Sequence, residues 1–411
     1  MTAKNNIPAG YKDSAVGIIP QEWEVKRLVD LCQNTGDYGI NAPSVPYRED
    51  LPTYLRITDI DIWGKFIKTD KASVDNPNSS QFILRDGDIV FARTGATVGK
   101  TYLYDSKDGQ LVFAGFLIRF TPNSNKAVPY YIKACTETAS YWNWVRVISQ
   151  RSGQSGINSV EYGAMKLAVP PMEEQRKIAE ILGVWDEAIE KQSRLIEKLE
   201  LRKRALMQRL LTGRTRLPGF STPWRKVKLS EIFKERNETK CEHLPLLSIT
   251  AERGVILQSE SDKKDTSNDD KSKYKRICPN DIGYNTMRMW QGRSALSAME
   301  GIVSPAYTIV TPKVEVDPLF ISELIKQPRV IYDFWTHSQG LVGDTLNCKF
   351  HDFSQVKVAI PSLPEQKAIA EVLTTADDEI ATHRKKLDAL RLQKRGLMQQ
   401  LLTGKTRVKN E

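Results

Sequence analysis

Residues 170–216 read PPMEEQRKIAEILGVWDEAIEKQSRLIEKLELRKRALMQRLLTGRTR, and residues 361–407 read PSLPEQKAIAEVLTTADDEIATHRKKLDALRLQKRGLMQQLLTGKTR. Aligned without a gap, about half of the positions are identical, from Glu174/Glu365 to Thr212-Gly213/Thr403-Gly404. Repetition on this scale speaks of architecture before any motif is weighed. Within the first copy, Ile178, Leu182, Trp185, Ile189, Gln192, Ile196, Leu199, Lys203, Leu206 and Leu210 follow a 4-3 spacing. Ile369, Leu373, Ala376, Ile380, His383, Leu387, Leu390, Lys394, Leu397 and Leu401 do the same in the second. A mean period of 3.5 keeps one stripe against a partner helix. About 37 helical residues span roughly 55 Å, longer than a typical domain is wide. Two such helices in one chain most simply bury their stripes against each other, as a spacer.

The polar positions of the two seams coincide, Gln192 over His383 and Lys203 over Lys394. They are either register-setting residues in the seam or positions at the edge of the stripe. A proline precedes each copy, where a helix can open, and Gly213 and Gly404 stand where one can be capped.

The rest of the chain divides around these helices. With 411 residues, two or more domains are expected. Residues 1–170 form a first domain, 171–216 the central helix, 217–360 a second domain and 361–411 the C-terminal helix. The two domains are distant copies. WEVKRLVDL (23–31) matches WRKVKLSEI (224–232), LRDGDIVFARTGATVGKTYLY (84–104) parallels ICPNDIGYNTMRMWQGRSALS (277–297), and FAGFLIRFTP (113–122) parallels IVSPAYTIVTP (302–312). Runs such as TYLRIT, DIVFAR, TYLYD, FLIRF, LPLLSIT and YTIVTP predict strands. VPYYIKACTETASYWNWV and DPLFISELIKQPRVIYDFW have helical spacing. The fold class is therefore mixed α/β: two copies of an α+β domain separated by two long coiled-coil helices. The polar segment 259–275 is expected to be a mobile loop.

Net charge is +10 with a pI near 9.2, which favours a polyanionic partner without proving one. No run of about 18 apolar residues exists, so no membrane span is expected. The N-terminus has no apolar signal core. Five scattered cysteines without a CxxC pair suggest reduced thiols in a cytoplasmic protein.

Chemistry is scarce. Gly95–Thr101 resembles a phosphate loop, but its glycines are separated by three residues where a Walker A motif needs four, and TYLYD behind it reads as strand. Glu24-Val25-Lys26 is a bare ExK. Four isolated histidines indicate neither a metal cluster nor a triad. No catalytic, cofactor-binding or metal-binding residue is assigned. The candidates that remain are DNA-reading side chains beside tight turns: Arg93, Thr94, Lys100, Gln154, Ser155 and Asn158 in the first domain, and Arg288, Trp290, Gln291, Arg293 and Gln339 in the second. Arginine offers a fork to guanine or phosphate, and glutamine or asparagine can pair with an adenine edge. A coiled-coil adaptor that binds only protein is the alternative.

The duplicated P-x-x-x-E-Q-x-x-I-A-x-[IV]-L opening, the L-M-Q-x-L-L-T-G-[RK]-T-R closing and the G-x-I-P-x-x-W-x-V-x-x-L stretch from Gly17 to Leu28 resemble the specificity (S) subunits of type I restriction–modification systems. The resemblance covers essentially the whole chain. It implies two target-recognition domains on double-stranded DNA, each reading half of a bipartite asymmetric site, with the two long coiled-coil helices packed antiparallel between them and an internal pseudo-two-fold as the consequence. It implies two methylation (M) subunits and, in the full complex, restriction (R) subunits. It also implies that S-adenosylmethionine, ATP and Mg²⁺ are used by those partners and not by this chain.

Overall fold

A computed structural model describes residues 7–150, 155–250, 253–261, 265, 267–340 and 346–408. The two repeated segments are helices of 39 residues, Met172–Leu210 and Leu363–Leu401. Each is followed by a turn in which Gly213 (φ +67°) or Gly404 (φ +69°) takes the left-handed conformation that costs glycine least. The amides of Thr215 and Thr406 then donate back to the carbonyls of Arg209 and Gln400, closing both ends alike.

The chain forms two compact units that cut across the four sequence segments. Unit 1 comprises residues 1–192 and 386–411, and unit 2 comprises residues 193–385. Each unit thus contains one α/β domain, the beginning of one long helix and the end of the other. In unit 1, Ile178 and Leu182 share a core with Met398, Leu401 and Leu402. In unit 2, Ile369, Ala370 and Leu373 share a core with Leu210 and Leu211. Start meets end in both, so the helix segments within each unit run antiparallel.

Most of the expected seam is buried: Ile178, Leu182, Ile196, Leu199, Leu210, Ile369, Leu373, Ala376, Ile380, Leu387 and Leu401. Trp185, Ile189, Leu206, Leu390 and Leu397 are half-buried. The shift from Leu397 to the buried Met398 shows the stripe drifting near the helix end, as strict heptads do on a straight helix. Of the four polar positions, Gln192 and Lys394 are buried within the stripe, while their counterparts His383 and Lys203 are half-buried, as at its edge.

Both domains are built on an antiparallel four-stranded sheet. In the first it runs Asp37–Tyr38, Leu117–Phe120, Ile89–Ala92, Thr101–Leu103; in the second, Phe233–Arg236, Tyr307–Pro312, Ile282–Asn285, Ser294–Leu296. The expected strands DIVFAR, TYLYD, FLIRF, LPLLSIT and YTIVTP all appear, and TYLRIT contributes Thr53–Leu55 before a 3-10 turn. Each expected helical stretch is a pair of helices, Pro129–Cys135 with Ala139–Ile148 and Pro318–Leu324 with Pro328–His337. The first domain adds a second four-stranded sheet that includes a parallel pair, Thr53–Leu55 with Leu111–Phe113. Of segment 259–275, the described part from Ser267 to Tyr274 has no regular element, yet Tyr274 is buried.

A short strand ties each domain to its own helix start. Glu24–Arg27 pairs with Lys166–Val169, and Arg225–Lys228 pairs with Lys357–Ile360, in matching register. The repeated Glu-Gln pair completes the joint. Gln175 accepts from the Val128 amide and donates to the Pro170 carbonyl, while Gln366 does the same with Asp317 and Pro361. Glu174 receives Arg407 at 2.8 Å, and Glu365 receives Arg216 at 2.6 Å. The opening motif of one helix thereby binds the closing motif of the other inside each unit.

Unit 1 carries an additional polar fastening. Lys394 reaches Asp186 (2.7 Å) and Glu137 (3.2 Å), Glu137 also takes Lys133 (2.5 Å), and Tyr130 donates to Asp186. Burial works to lower the Lys394 pKa, but the two carboxylates outweigh it and the pKa is raised. Of this network unit 2 keeps, among the described residues, only Lys203–Asp377 at 2.6 Å. By position along the matching helix, it has Leu319, Ser322 and Lys326 where unit 1 has Tyr130, Lys133 and Glu137.

Candidate nucleic-acid interface

Arg93, Thr94 and Lys100 in the first domain, and Arg288, Trp290, Gln291 and Arg293 in the second, sit on the same hairpin. Ile89 pairs with Leu103, and Ile282 pairs with Leu296, so the intervening loops 93–100 and 286–293 correspond residue for residue. A buried carboxylate holds the base of each hairpin. Asp88 accepts from the Thr121 hydroxyl and the Arg85 amide; Asp281 accepts from the Thr311 hydroxyl and the Cys278 amide. Asp281 also takes Arg236 at 2.6 Å. At the far end of each loop stands a glycine with positive φ, Gly99 (+88°) or Gly292 (+72°). A Cβ there would meet Val145 at 2.7 Å or Ile331 at 2.6 Å, so each loop is pressed onto its neighbouring helix.

In the first domain the second candidate loop meets the first. The Ile157 amide donates to the Arg93 carbonyl, the Gly95 amide donates to the Ser155 carbonyl, and Thr94 bridges Gly156. The second domain repeats the first of these bonds as Cys348 amide to Thr286 carbonyl. Arg93, Thr94 and Ser155 are thus brought together, with Arg93 stacked 4.8 Å above the Tyr38 ring. Ser155 is exposed, and Arg93 and Thr94 are half-buried.

Two candidates are otherwise engaged. Lys100 donates to the Ile60 carbonyl at 3.0 Å, and Asn158 caps helix Ser159–Gly163 by accepting from Glu161. The Lys100 partner is 40 residues away and invisible to local spacing, whereas Asn158-x-x-Glu161 is a capping box whose spacing stands in the sequence. Gln154 lies outside the described residues. In the second domain Arg288, Gln291 and Arg293 are exposed, Trp290 is half-buried and donates to the Met287 carbonyl, and Gln339 donates to Asp352 at 3.0 Å.

The rejected phosphate loop is a 3-10 turn, Gly95–Thr97, leading into strand Thr101–Leu103, with no helix N-terminus to meet a phosphate. Glu24 and Lys26 of the ExK pair with each other at 2.7 Å on an exposed strand. Among the described residues no cluster of His, Cys, Asp and Glu could hold a metal ion, and no helix is long and apolar enough to cross a membrane. Sequence reasoning missed Tyr38, the platform under Arg93, and the sheet-locking role of Asp88 and Asp281. The Asp-Ile repeat marked the latter only as a correspondence.

Each unit thus carries the same hairpin with its own loop, mounted on a clamped pair of helix ends. The type I restriction modification DNA specificity domain matches residues 20–201 and 319–392, and the chain belongs to that family. It is 27% identical, over 97% of both chains, to the putative type I restriction enzyme MjaX specificity subunit of Methanocaldococcus jannaschii. It is 23% identical to the MjaVIII specificity subunit of the same organism, over 95% of each. Among solved structures, it superposes on the type I restriction–modification S subunit from M. genitalium with a TM-score of 0.56 at 13% identity, covering 98% of each chain. A chain from a study of the assembly and conformational transition of a type I system gives 0.55 at 16% identity, covering 94% of this chain and 99% of that one. Identities this low speak for the fold alone. The family places the chain as a specificity subunit of a type I restriction–modification system.

Proposed function

We propose that each recognition domain reads one half of a bipartite, asymmetric DNA site, and that the paired long helices fix the distance between the halves. The observation that carries this reading is the shared hairpin register with different loops. Arg93-Thr94-Gly95 in one domain stands where Thr286-Met287-Arg288 stands in the other. One scaffold carrying two chemistries suits two different half-sites. The clamp of Glu174 and Arg407, repeated as Glu365 and Arg216, builds the same helix joint twice, which suits two methylation subunits docked on one chain. Restriction subunits would join that complex.

In this reading the chain is non-catalytic. S-adenosylmethionine-dependent methylation of adenine N6, and cleavage driven by ATP and Mg²⁺, belong to the partners, and the complex works in the cytoplasm. Mapping methylated adenines in cells with the complete system, with and without this chain, tests it. The expected result is one bipartite motif that disappears with the chain; a motif that persists without it would contradict the proposal.

A further inference from the structure

The second recognition domain contains an open groove of about 930 Å³, at the upper end of the range for ligand pockets. It lies between the hairpin formed by Leu247–Thr250 and Gly254–Leu257, the loop 286–293, and Lys326 at the end of the helix Pro318–Leu324. Arg253, Arg288, Arg293 and Lys326 line it, and no carboxylate does among the described residues. The local structure explains the opening. Gly283 lets Ile249 approach so closely that a Cβ would meet it at 2.3 Å. The Thr250 hydroxyl closes the hairpin turn, donating to the Gly254 carbonyl and accepting from the Arg253 amide, which fixes Arg253 at the tip.

Neither of the two outer cations was legible as a site residue. Arg253 is exposed, held by the Glu260 carbonyl at 2.8 Å, with the Glu260 carboxylate 4.0 Å away. Lys326 pairs with Glu323 at 2.8 Å from one side of the groove. Among the described residues the first domain offers no equivalent. Its counterpart of Arg293, Lys100, is bound to the Ile60 carbonyl, and its counterpart of Lys326 is Glu137 in the Lys394 network. The cavity at its helix junction is lined by Glu22, Glu24 and Asp30 as well as lysines, a composition that disfavours phosphate.

Resting on the specificity-subunit reading, we propose that this groove grips the DNA backbone of the second half-site. Arg253 and Lys326 are its phosphate contacts, and Gln291 and Arg293 are left for base edges. Solvated cations spread over three elements suit a polyanionic strand, and phosphate contacts set affinity and salt dependence while base contacts set sequence.

The test uses the complex of this chain with its methylation subunits and a duplex oligonucleotide carrying the motif mapped for the wild type. Arg253→Gln and Lys326→Gln should each weaken binding about tenfold and reduce the log–log salt slope by about one, with the methylated motif unchanged. Arg253→Lys should restore most of the affinity. Wild-type affinity and slope in both glutamine variants, with melting temperatures intact, overturn the proposal. So does a changed base in the motif, which would make these side chains base readers. A wild-type complex that binds no duplex would instead remove the reading on which the groove depends.

Discussion

Arg407 donates to Glu174 at 2.8 Å across 233 residues of sequence, and the same carboxylate accepts the Trp23 indole N–H at 2.9 Å. One acidic side chain, nearly inaccessible, thus joins the start of one long helix, the end of the other and the first domain. Glu365 and Arg216 repeat the pair in unit 2, but there the indole nitrogen of Trp224 has no partner.

Removing one side of the unit 1 clamp leaves a buried charge or donor uncompensated. Glu174→Gln should cost about 3 kcal/mol, near the lower end for a broken buried pair because Arg407 keeps some solvent contact. Urea unfolding of Glu174→Gln, Arg407→Gln and the double variant measures it. The double variant should be less destabilised than the sum of the singles, with a coupling of about 1–3 kcal/mol. Strict additivity would show that the two side chains act independently.

The helix seam should respond to charge in proportion to burial. Ile178→Asp places a carboxylate at a fully buried position and should cost several kcal/mol, enough to lower the thermal midpoint sharply. Leu397→Asp, at a half-buried position, should cost visibly less. Equal effects would argue against the packing described.

Burial pushes the thiols of Cys32, Cys135 and Cys348 up to about 12. All five cysteines are free, but only Cys241 and Cys278 are partly accessible. At pH 8 a thiol reagent should therefore titrate two cysteines rapidly in the folded protein and five after unfolding. The sign of the linkage is fixed. Unfolded thiols ionise near pH 8.5, so stability falls as pH rises from there toward the folded values. Lys394, whose pKa is also raised, adds a contribution that is present below its ordinary value and lost at still higher pH. A stability profile that rises above pH 9 would contradict this.

Spacing should be tunable from the middle of the helices and not from their ends. Leu210, Leu211 and Gly213 are packed into unit 2, the glycine against Trp224, so an insertion there would break a core. Seven residues inserted after Gln192 and after Lys385 preserve the 3.5 repeat and lengthen the pair by about 10 Å. At 3.4 Å per base pair the gap between half-sites should grow by about three, with both half-site sequences unchanged. Methylation mapping that shows altered half-site bases would reassign the roles of helix and loop.

The repeat made the helices, the seam and the doubling of the domains readable, because 3.5-residue periodicity survives in a linear string. The paired Asp88 and Asp281 were visible only as a correspondence, since their partners Thr121 and Thr311 lie across the sheet. The individual recognition residues were the least legible. Lys100 and Asn158 have the chemistry of base readers, yet the distant Ile60 carbonyl occupies the first and the Glu161 amide, three residues on, occupies the second. Arg253 and Lys326 reach one groove with Arg293 from separate elements, which no local motif announces. The division into two units also cuts through each helix, because a stripe packs against whatever lies beside it, whichever segment that belongs to.

The central claim is that two domains read DNA separately on one chain. Its most direct test replaces residues 1–170 with the corresponding domain of another specificity subunit and maps methylated adenines genome-wide. The account predicts a hybrid motif in which one half-site changes and the other, with the gap, is retained. A motif that stays the same, or one in which both halves change together, would contradict it.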